Sequence, residues 1–165
     1  MRATEKAALV ATSMFAIAAC APSGPTAVDT SADQAAIHAA DLAHVNAYNS
    51  GNVEAIVAGY ADHAVLMPSG MPSLVGHDAI RKYFTDSIQS AKASGLTESL
   101  GEYSSGVSGD LGWTAGSSKE TSASGATVWV GKYVAIWKRT KDGKWLNIRD
   151  TWNDDVPPAP TQPSK

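Results

Sequence analysis

The sequence predicts an α+β fold in which helices pack on one face of an antiparallel sheet. The first half carries apolar residues at helical spacing, and the second half carries strand patterns separated by Gly- and Ser-rich turns. Because the helices precede the strands and do not alternate with them, a parallel α/β sheet is not expected. The predicted strands are 97–105, 110–118, 127–139 and 145–153.

The first helix is expected to begin at the capping-box spacing Ser31-x-x-Gln34 and to run to about Asn49, before Gly51. Four of its residues are spaced by four, three and four positions, so they share one helix face. They are Ile37, Asp41, His44 and Tyr48.

A second, short helix is expected after Asn52, whose side chain can cap it. Its predicted apolar stripe is Val53, Ile56, Val57 and Tyr60. An extended segment at 64–67 and a Pro/Gly loop follow. The third helix is predicted at 78–92, with Ile80, Phe84 and Ile88 facing the core.

The last two strands form the clearest hairpin, because Asp142-Gly143 is typical of a two-residue primed turn. Counting outward from that turn sets the cross-strand pairs and places all their members on one aromatic face that carries one carboxylate. The pairs are Trp137 with Ile148, Ala135 with Asp150, and Tyr133 with Trp152.

Composition indicates one ordinary globular domain. The chain has 165 residues, of which 44% are hydrophobic and 18% are charged. Its formal net charge of −3 argues against a nucleic-acid partner.

The N-terminus predicts export. Residues 7–19 are uncharged and mostly apolar, follow two basic residues, and are too few to cross a bilayer. Ile17-Ala18-Ala19-Cys20 resembles the bacterial lipobox, so 1–19 is interpreted as a signal peptide and Cys20 as the lipid-anchored residue of a periplasmic or cell-surface lipoprotein. The alternative is ordinary secretory cleavage with Cys20 incidental. Residues 20–30 then form a tether, 31–155 the domain, and 156–165 a disordered Pro-rich tail.

Several segments, in order, resemble the SnoaL-like and ketosteroid-isomerase-like proteins of the nuclear-transport-factor-2-like superfamily. They are Asn52–Asp62, Met67–Gly70, Gly76–Phe84, Asp142–Trp145 and Arg149–Asn153. The resemblance implies a cone-shaped fold, with a curved sheet wrapped around three helices and a pocket at its wide end. It implies the fold more firmly than a function.

Ketosteroid isomerases use a base Asp and an oxyanion hole made by a Tyr and a protonated Asp. By the resemblance, the Tyr position falls on His44, the base on Met67 or Pro68, and the protonated Asp on Ala135. Since none of these roles keeps its residue, steroid isomerisation by the family mechanism is not expected.

Asp150 and His44 are the candidate catalytic residues. A carboxylate on an aromatic face loses solvation, so its pKa should rise toward neutral pH, and His44 could pair with it across the pocket. A charged His44 would then hold its proton to a higher pH. The alternatives are a structural Asp150 and a merely packed His44. The predicted pocket residues are Tyr60, Met67, Tyr83, Phe84, Tyr133, Ala135, Trp137, Ile148 and Trp152.

Three functions remain open from the sequence. The first is a module that binds a small apolar or aromatic molecule. The second is an isomerase- or lyase-type enzyme that uses His44 and Asp150 without a metal or other cofactor. The third is a structural homodimer formed through the outer face of the sheet. The expected partners are the small ligand, the membrane through the lipid on Cys20, and a second copy of the chain.

Overall fold

The computed structural model describes residues 28–155, which form three α-helices and one curved, unclosed six-stranded sheet. The elements are α1 (Ser31–Ser50), α2 (Val53–Ala58), β1 (Tyr60–Met67), β2 (Leu74–Val75), α3 (Gly76–Ala93), β3 (Thr97–Ser108), β4 (Leu111–Thr121), β5 (Thr127–Arg139) and β6 (Trp145–Asp154). The predicted signal peptide, Cys20 and the Pro-rich tail lie outside the described residues. Within 28–155, no helix combines the length and apolarity needed to cross a membrane.

The helices follow the predicted faces, but the start of α1 is capped differently from the prediction. Thr30, not Ser31, occupies the N-cap of α1, and no side chain caps it, so the capping-box prediction is wrong. Gly51 ends α1 in the left-handed region at φ 79°, where a glycine meets no Cβ penalty. Asn52 caps α2 as predicted, accepting a hydrogen bond of 3.0 Å from the Ala55 amide.

Tyr60 belongs to β1 and not to α2, which ends at Ala58. The observed strand therefore begins four residues before the predicted extended segment. Tyr60 pairs with Asn147 of β6, and the Asn147 amide donates to the Gly59 carbonyl at 2.9 Å. Because of this pairing, the chain enters the sheet directly after α2, although Tyr60 has the spacing of a helical residue.

The strand order is β2-β1-β6-β5-β4-β3, and β1 runs parallel to β6. The other neighbouring strands are antiparallel, so the expectation of a purely antiparallel sheet is wrong at one pairing. The parallel contact matters for the site because it brings β1, early in the chain, next to the final strand.

The β5–β6 hairpin has the predicted register from Ile136 outward, but its turn and the pairs next to the turn differ from the prediction. Its turn is not the predicted two-residue primed turn, since only Gly143 has positive φ and the Gly143 amide donates to the Thr140 carbonyl at 3.0 Å. This turn shifts the first pairs by one residue, so that Trp137 lies opposite Asn147 and the predicted pair with Ile148 is wrong.

A bulge after Ile136 then restores the predicted register. Ile148 is the extra residue on β6, as two residues oppose one at a β-bulge. Ala135 lies opposite Asp150 and Tyr133 opposite Trp152, as predicted. The turn and the bulge compensate each other, so Asp150 keeps its predicted face.

The main apolar cluster joins α1, α2, β1 and α3. Its most deeply buried members, Ala64, Leu66 and Ile80, are 0% exposed. Ile80, Phe84 and Ile88 of α3 all belong to it, as their helical spacing predicted. A smaller cluster of Ile37, Ala135, Trp137 and Trp145 closes the other end of the interior. The two clusters fix α1 and α3 against the sheet and leave a cavity between them.

Candidate functional site

A cavity of about 270 Å³ lies between α1, α3 and the inner faces of β3–β6. Aromatic rings and carboxyl groups dominate its wall. The lining residues are Asp41, His44, Val45, Tyr48, Tyr83, Phe84, Ser87, Glu98, Leu100, Ser118, Glu120, Trp129, Tyr133, Trp137, Asn147, Asp150 and Trp152.

Asp150 lies in this cavity, and its partner is Tyr60. The Tyr60 hydroxyl donates to Asp150 Oδ2 at 2.5 Å. The parallel pairing of β1 with β6 makes this contact possible. His77 Nε2 also donates to the Tyr60 carbonyl at 2.9 Å. Burial raises the pKa of Asp150 to about 6, against the opposing effect of the Tyr60 hydrogen bond. The carboxyl group can therefore exchange a proton near neutral pH.

Asp41 is a second carboxyl group of the same kind, located on α1. The Tyr133 hydroxyl donates to Asp41 Oδ2 at 3.2 Å, and the side chain is 8% exposed. Burial raises the pKa of Asp41 to about 6, although hydrogen bonds from Thr114 and Tyr133 favour its charged form. Because the negative charge of Asp41 also raises the pKa of Asp150, the two carboxyl groups influence each other.

His44 lines the cavity but does not pair with Asp150. Within residues 28–155 no hydrogen bond or ion pair joins them, and the His44 ring packs edge-on against Phe84 at 5.1 Å and Tyr60 at 6.0 Å. Burial among these rings lowers the pKa of His44 to about 4. The predicted rise in the His44 pKa is therefore wrong, because desolvation acts on the imidazolium and no interaction with a carboxylate of the described residues offsets it.

Glu98 and Glu120 bring two further carboxyl groups to the cavity, and sequence reasoning missed both. They lie opposite each other on β3 and β4, and burial raises the pKa of each. The side-chain amide of Asn49, at the end of α1, donates to the Glu98 carbonyl and accepts from the Glu98 backbone amide, both at 2.8 Å, and holds the strand there. The Ser118 hydroxyl donates to Glu98 at 2.7 Å. The one sequence signal that could have indicated these two residues is their position opposite each other on the β3–β4 hairpin.

The predicted pocket residues divide into two groups. Five of them line the cavity beside His44 and Asp150, namely Tyr83, Phe84, Tyr133, Trp137 and Trp152. Four do not line it. Tyr60 and Ala135 are buried behind the wall at 2% exposure, Met67 pairs with Thr151 at the end of β1, and Ile148 is the bulge residue.

The described part of the chain holds no cluster of three or more His, Cys, Asp or Glu side chains with the geometry of a metal site. The arrangement places aromatic rings from two layers of the fold beside Asp41 and Asp150, whose pKa values of about 6 allow proton exchange near neutral pH.

The fold is that of the nuclear-transport-factor-2-like proteins, as three solved structures indicate. One, with a cystatin-like fold, comes from Novosphingobium aromaticivorans; it is 21% identical, with a TM-score of 0.69, over 78% of this chain and 85% of that one. A ketosteroid isomerase-like protein from Erwinia carotovora atroseptica is 23% identical, with a TM-score of 0.61, over 77% of this chain and 99% of that one. A protein of unknown function from Pseudomonas putida is 16% identical, with a TM-score of 0.67, over 77% of this chain and 97% of that one.

The SnoaL-like domain model matches residues 42–148, and the chain belongs to this family. None of the curated protein sequences matches the chain.

Proposed function

We propose that the domain binds a small molecule with an aromatic or apolar body in the cavity between α1, α3 and the sheet. The observation that supports this most directly is the cavity wall. Tyr83 and Phe84 come from α3, while Tyr133, Trp137 and Trp152 come from β5 and β6. Rings from two layers of the fold can contact both faces of a flat ligand, and such contacts are typical of small-molecule sites.

The test is calorimetric titration of the purified protein with a panel of neutral one- and two-ring aromatic compounds. Trp152→Ala is expected to weaken binding at least about tenfold, since it removes part of the wall. Trp113→Ala is the matched control, because Trp113 is 42% exposed and is not among the lining residues. Equal affinities of wild type and Trp152→Ala, with both proteins folded, would contradict this location of the site.

We propose acid–base catalysis as a second candidate function, with Asp150 as the proton acceptor and donor and Tyr60 as the residue that positions it. The supporting observation is that a carboxyl group with a pKa of about 6 opens into the cavity while held by a 2.5 Å hydrogen bond. This revises the sequence-based pair of His44 and Asp150. The reaction class is isomerase- or lyase-type, with proton transfer next to a carbonyl group.

Exchange of the α-protons of small cyclic ketones in D₂O, followed by NMR, tests the second candidate. Asp150→Asn should reduce exchange at least about a hundredfold. Glu102→Gln removes an exposed carboxylate that does not line the cavity and should leave the rate unchanged. A 3-oxo-Δ5 steroid is not expected to isomerise, because Met67, Pro68 and Ala135 carry no carboxyl group. Enzyme-like turnover of that steroid would overturn this expectation.

We propose that the protein is exported and anchored through a lipid on Cys20. The support is sequence-based: an apolar stretch too short for a membrane span, followed by a lipobox-like tetrapeptide. Cys20→Ser should move the protein out of the membrane fraction or block its processing. Wild-type protein found soluble and correctly trimmed would contradict the proposal.

We propose that two copies associate through the outer face of the sheet. Leu111, Trp113, Val128, Val130 and Val134 are 40–54% exposed on β4 and β5. Grouped exposed apolar side chains favour association. Light scattering of wild type and of Trp113→Lys checks the oligomeric state. A wild-type monomer at all accessible concentrations would rule out the dimer.

A further inference from the structure

The charges around the cavity are all of one sign. Asp41, Glu98, Glu120 and Asp150 line it, and no Lys or Arg is among the described lining residues. His44 is the one basic group there, and burial lowers its pKa to about 4, so it is neutral at pH 7. The interior of the cavity is therefore negative wherever these carboxyl groups are ionised.

Several donors at the cavity are already engaged. Hydroxyl groups donate to three of the four carboxyl groups: Tyr60, behind the wall, to Asp150, Tyr133 to Asp41, and Ser118 to Glu98. The indole N–H groups of Trp129 and Trp137 donate to Asp154 and Thr114 at 2.7 and 2.9 Å. Four carboxyl groups can accept more hydrogen bonds than these hydroxyl groups supply, so a ligand that brings its own donors is complementary to them.

Aromatic rings complete the arrangement. The faces of Trp and Tyr rings attract cations, and the attraction is stronger where water is excluded. The same wall that would stack against an apolar body therefore also stabilises a positive charge on it.

We propose that the ligand is a small organic ammonium ion, whose apolar part stacks on the aromatic wall and whose N–H donors face the surrounding carboxylates. This proposal rests on the proposed binding function and names the ligand class of that same cavity. The volume of about 270 Å³ fits a one- or two-ring amine better than a larger molecule.

The experiment compares three probes of one shape: benzylammonium, benzyl alcohol and benzoate. Calorimetric titration at pH 7 and low salt is expected to rank benzylammonium at least about tenfold tighter than the other two. Asp41→Asn should lower the affinity for benzylammonium more than the affinity for benzyl alcohol, since it removes one of the four carboxylates that line the cavity. Because Asn keeps an oxygen that can accept from Tyr133, loss of binding through unfolding is not expected. Glu102→Gln is the matched charge control and should change nothing.

The outcomes separate the two proposals. If benzyl alcohol or benzoate binds as tightly as benzylammonium, or if only the neutral aromatic panel binds, the ammonium proposal is wrong and the binding function stands. If neither these probes nor the neutral panel binds, both are wrong. A preference for benzylammonium that is unchanged in Asp41→Asn, or that falls as much in Glu102→Gln, would mean that the cavity carboxylates do not hold the ammonium group, and would overturn the proposal.

Discussion

Two interior regions of this domain are built in opposite ways. The apolar cluster between β1 and α3 is closed: Ala64, Leu66 and Ile80 are 0% exposed. On the other side of Phe84, four carboxyl groups line the cavity. Tyr48 and Phe84 belong to both regions, so these two rings separate a part that stabilises the fold from a part that costs stability.

The comparison shows that the apolar cluster depends on the shape of its side chains, whereas the cavity depends on their charge. Close packing makes the apolar cluster sensitive to lost volume. The cavity has unfilled space and charged groups without basic partners, so it should tolerate lost volume and respond to lost charge.

The largest expected effect is in the apolar cluster. Ile80→Ala should lower the free energy of unfolding by about 3 kcal/mol, since the fully buried side chain leaves a cavity. The matched truncation Leu100→Ala, in the partly exposed cavity wall, should cost less than about 1.5 kcal/mol. Urea denaturation followed by circular dichroism measures both. Equal costs would mean that the two regions are packed alike.

The second prediction is a gain in stability on removing a cavity charge. Asp41→Asn should raise the free energy of unfolding at pH 7 by about 1–3 kcal/mol. The pKa of Asp41 is raised to about 6 in the folded protein from 3.8, so the folded state holds more protons between these values. Its stability therefore falls as pH rises from about 4 to 6, and then levels off.

The control for this prediction is the pH itself. At pH 4 and below, Asp41 is largely protonated in the folded state, so the gain from Asp41→Asn should shrink. Urea denaturation at several pH values from 4 to 8 measures the difference. If Asp41→Asn is less stable than wild type at pH 7, the hydrogen bonds from Thr114 and Tyr133 stabilise the Asp41 carboxylate by more than burial destabilises it.

The third prediction concerns the hydroxyl group that holds Asp150. Tyr60→Phe removes a hydrogen bond that favours the ionised carboxylate, so the pKa of Asp150 should rise above about 6. The expected cost in stability is about 1 kcal/mol. Titration of the carboxyl carbon by NMR measures the shift. An unchanged Asp150 pKa would mean that the hydroxyl does not donate to this carboxylate in solution.

The smallest expected effect is on His44. Its ring should titrate near pH 4, and Asp150→Asn should leave that pKa unchanged, because no hydrogen bond or ion pair joins the two among residues 28–155. NMR titration of the imidazole signals in wild type and variant tests this. A His44 pKa above 6.5 that drops in Asp150→Asn would restore the sequence-based pair.

Much of the architecture was predictable because it depends on local patterns. The buried face of α3, the Gly51 helix end and the Asn52 cap follow from residue spacing and side-chain chemistry within one turn. The face that carries Asp150 was predicted correctly, but two errors cancelled. Neither the turn at Gly143 nor the bulge at Ile148 could be located from the pattern, since alternation alone does not place an extra residue.

The sequence by itself determined the fold class, the helix faces and the aromatic side of the last hairpin, because those properties depend on neighbours along the chain. Only the tertiary structure decided the partners. Tyr60 reaches Asp150 across 90 positions, and Tyr133 reaches Asp41 across 92. Both contacts require strand pairing and helix packing that the whole core sets. A carboxylate gains its shifted pKa from that enclosure, and no spacing in the sequence specifies how completely water is excluded.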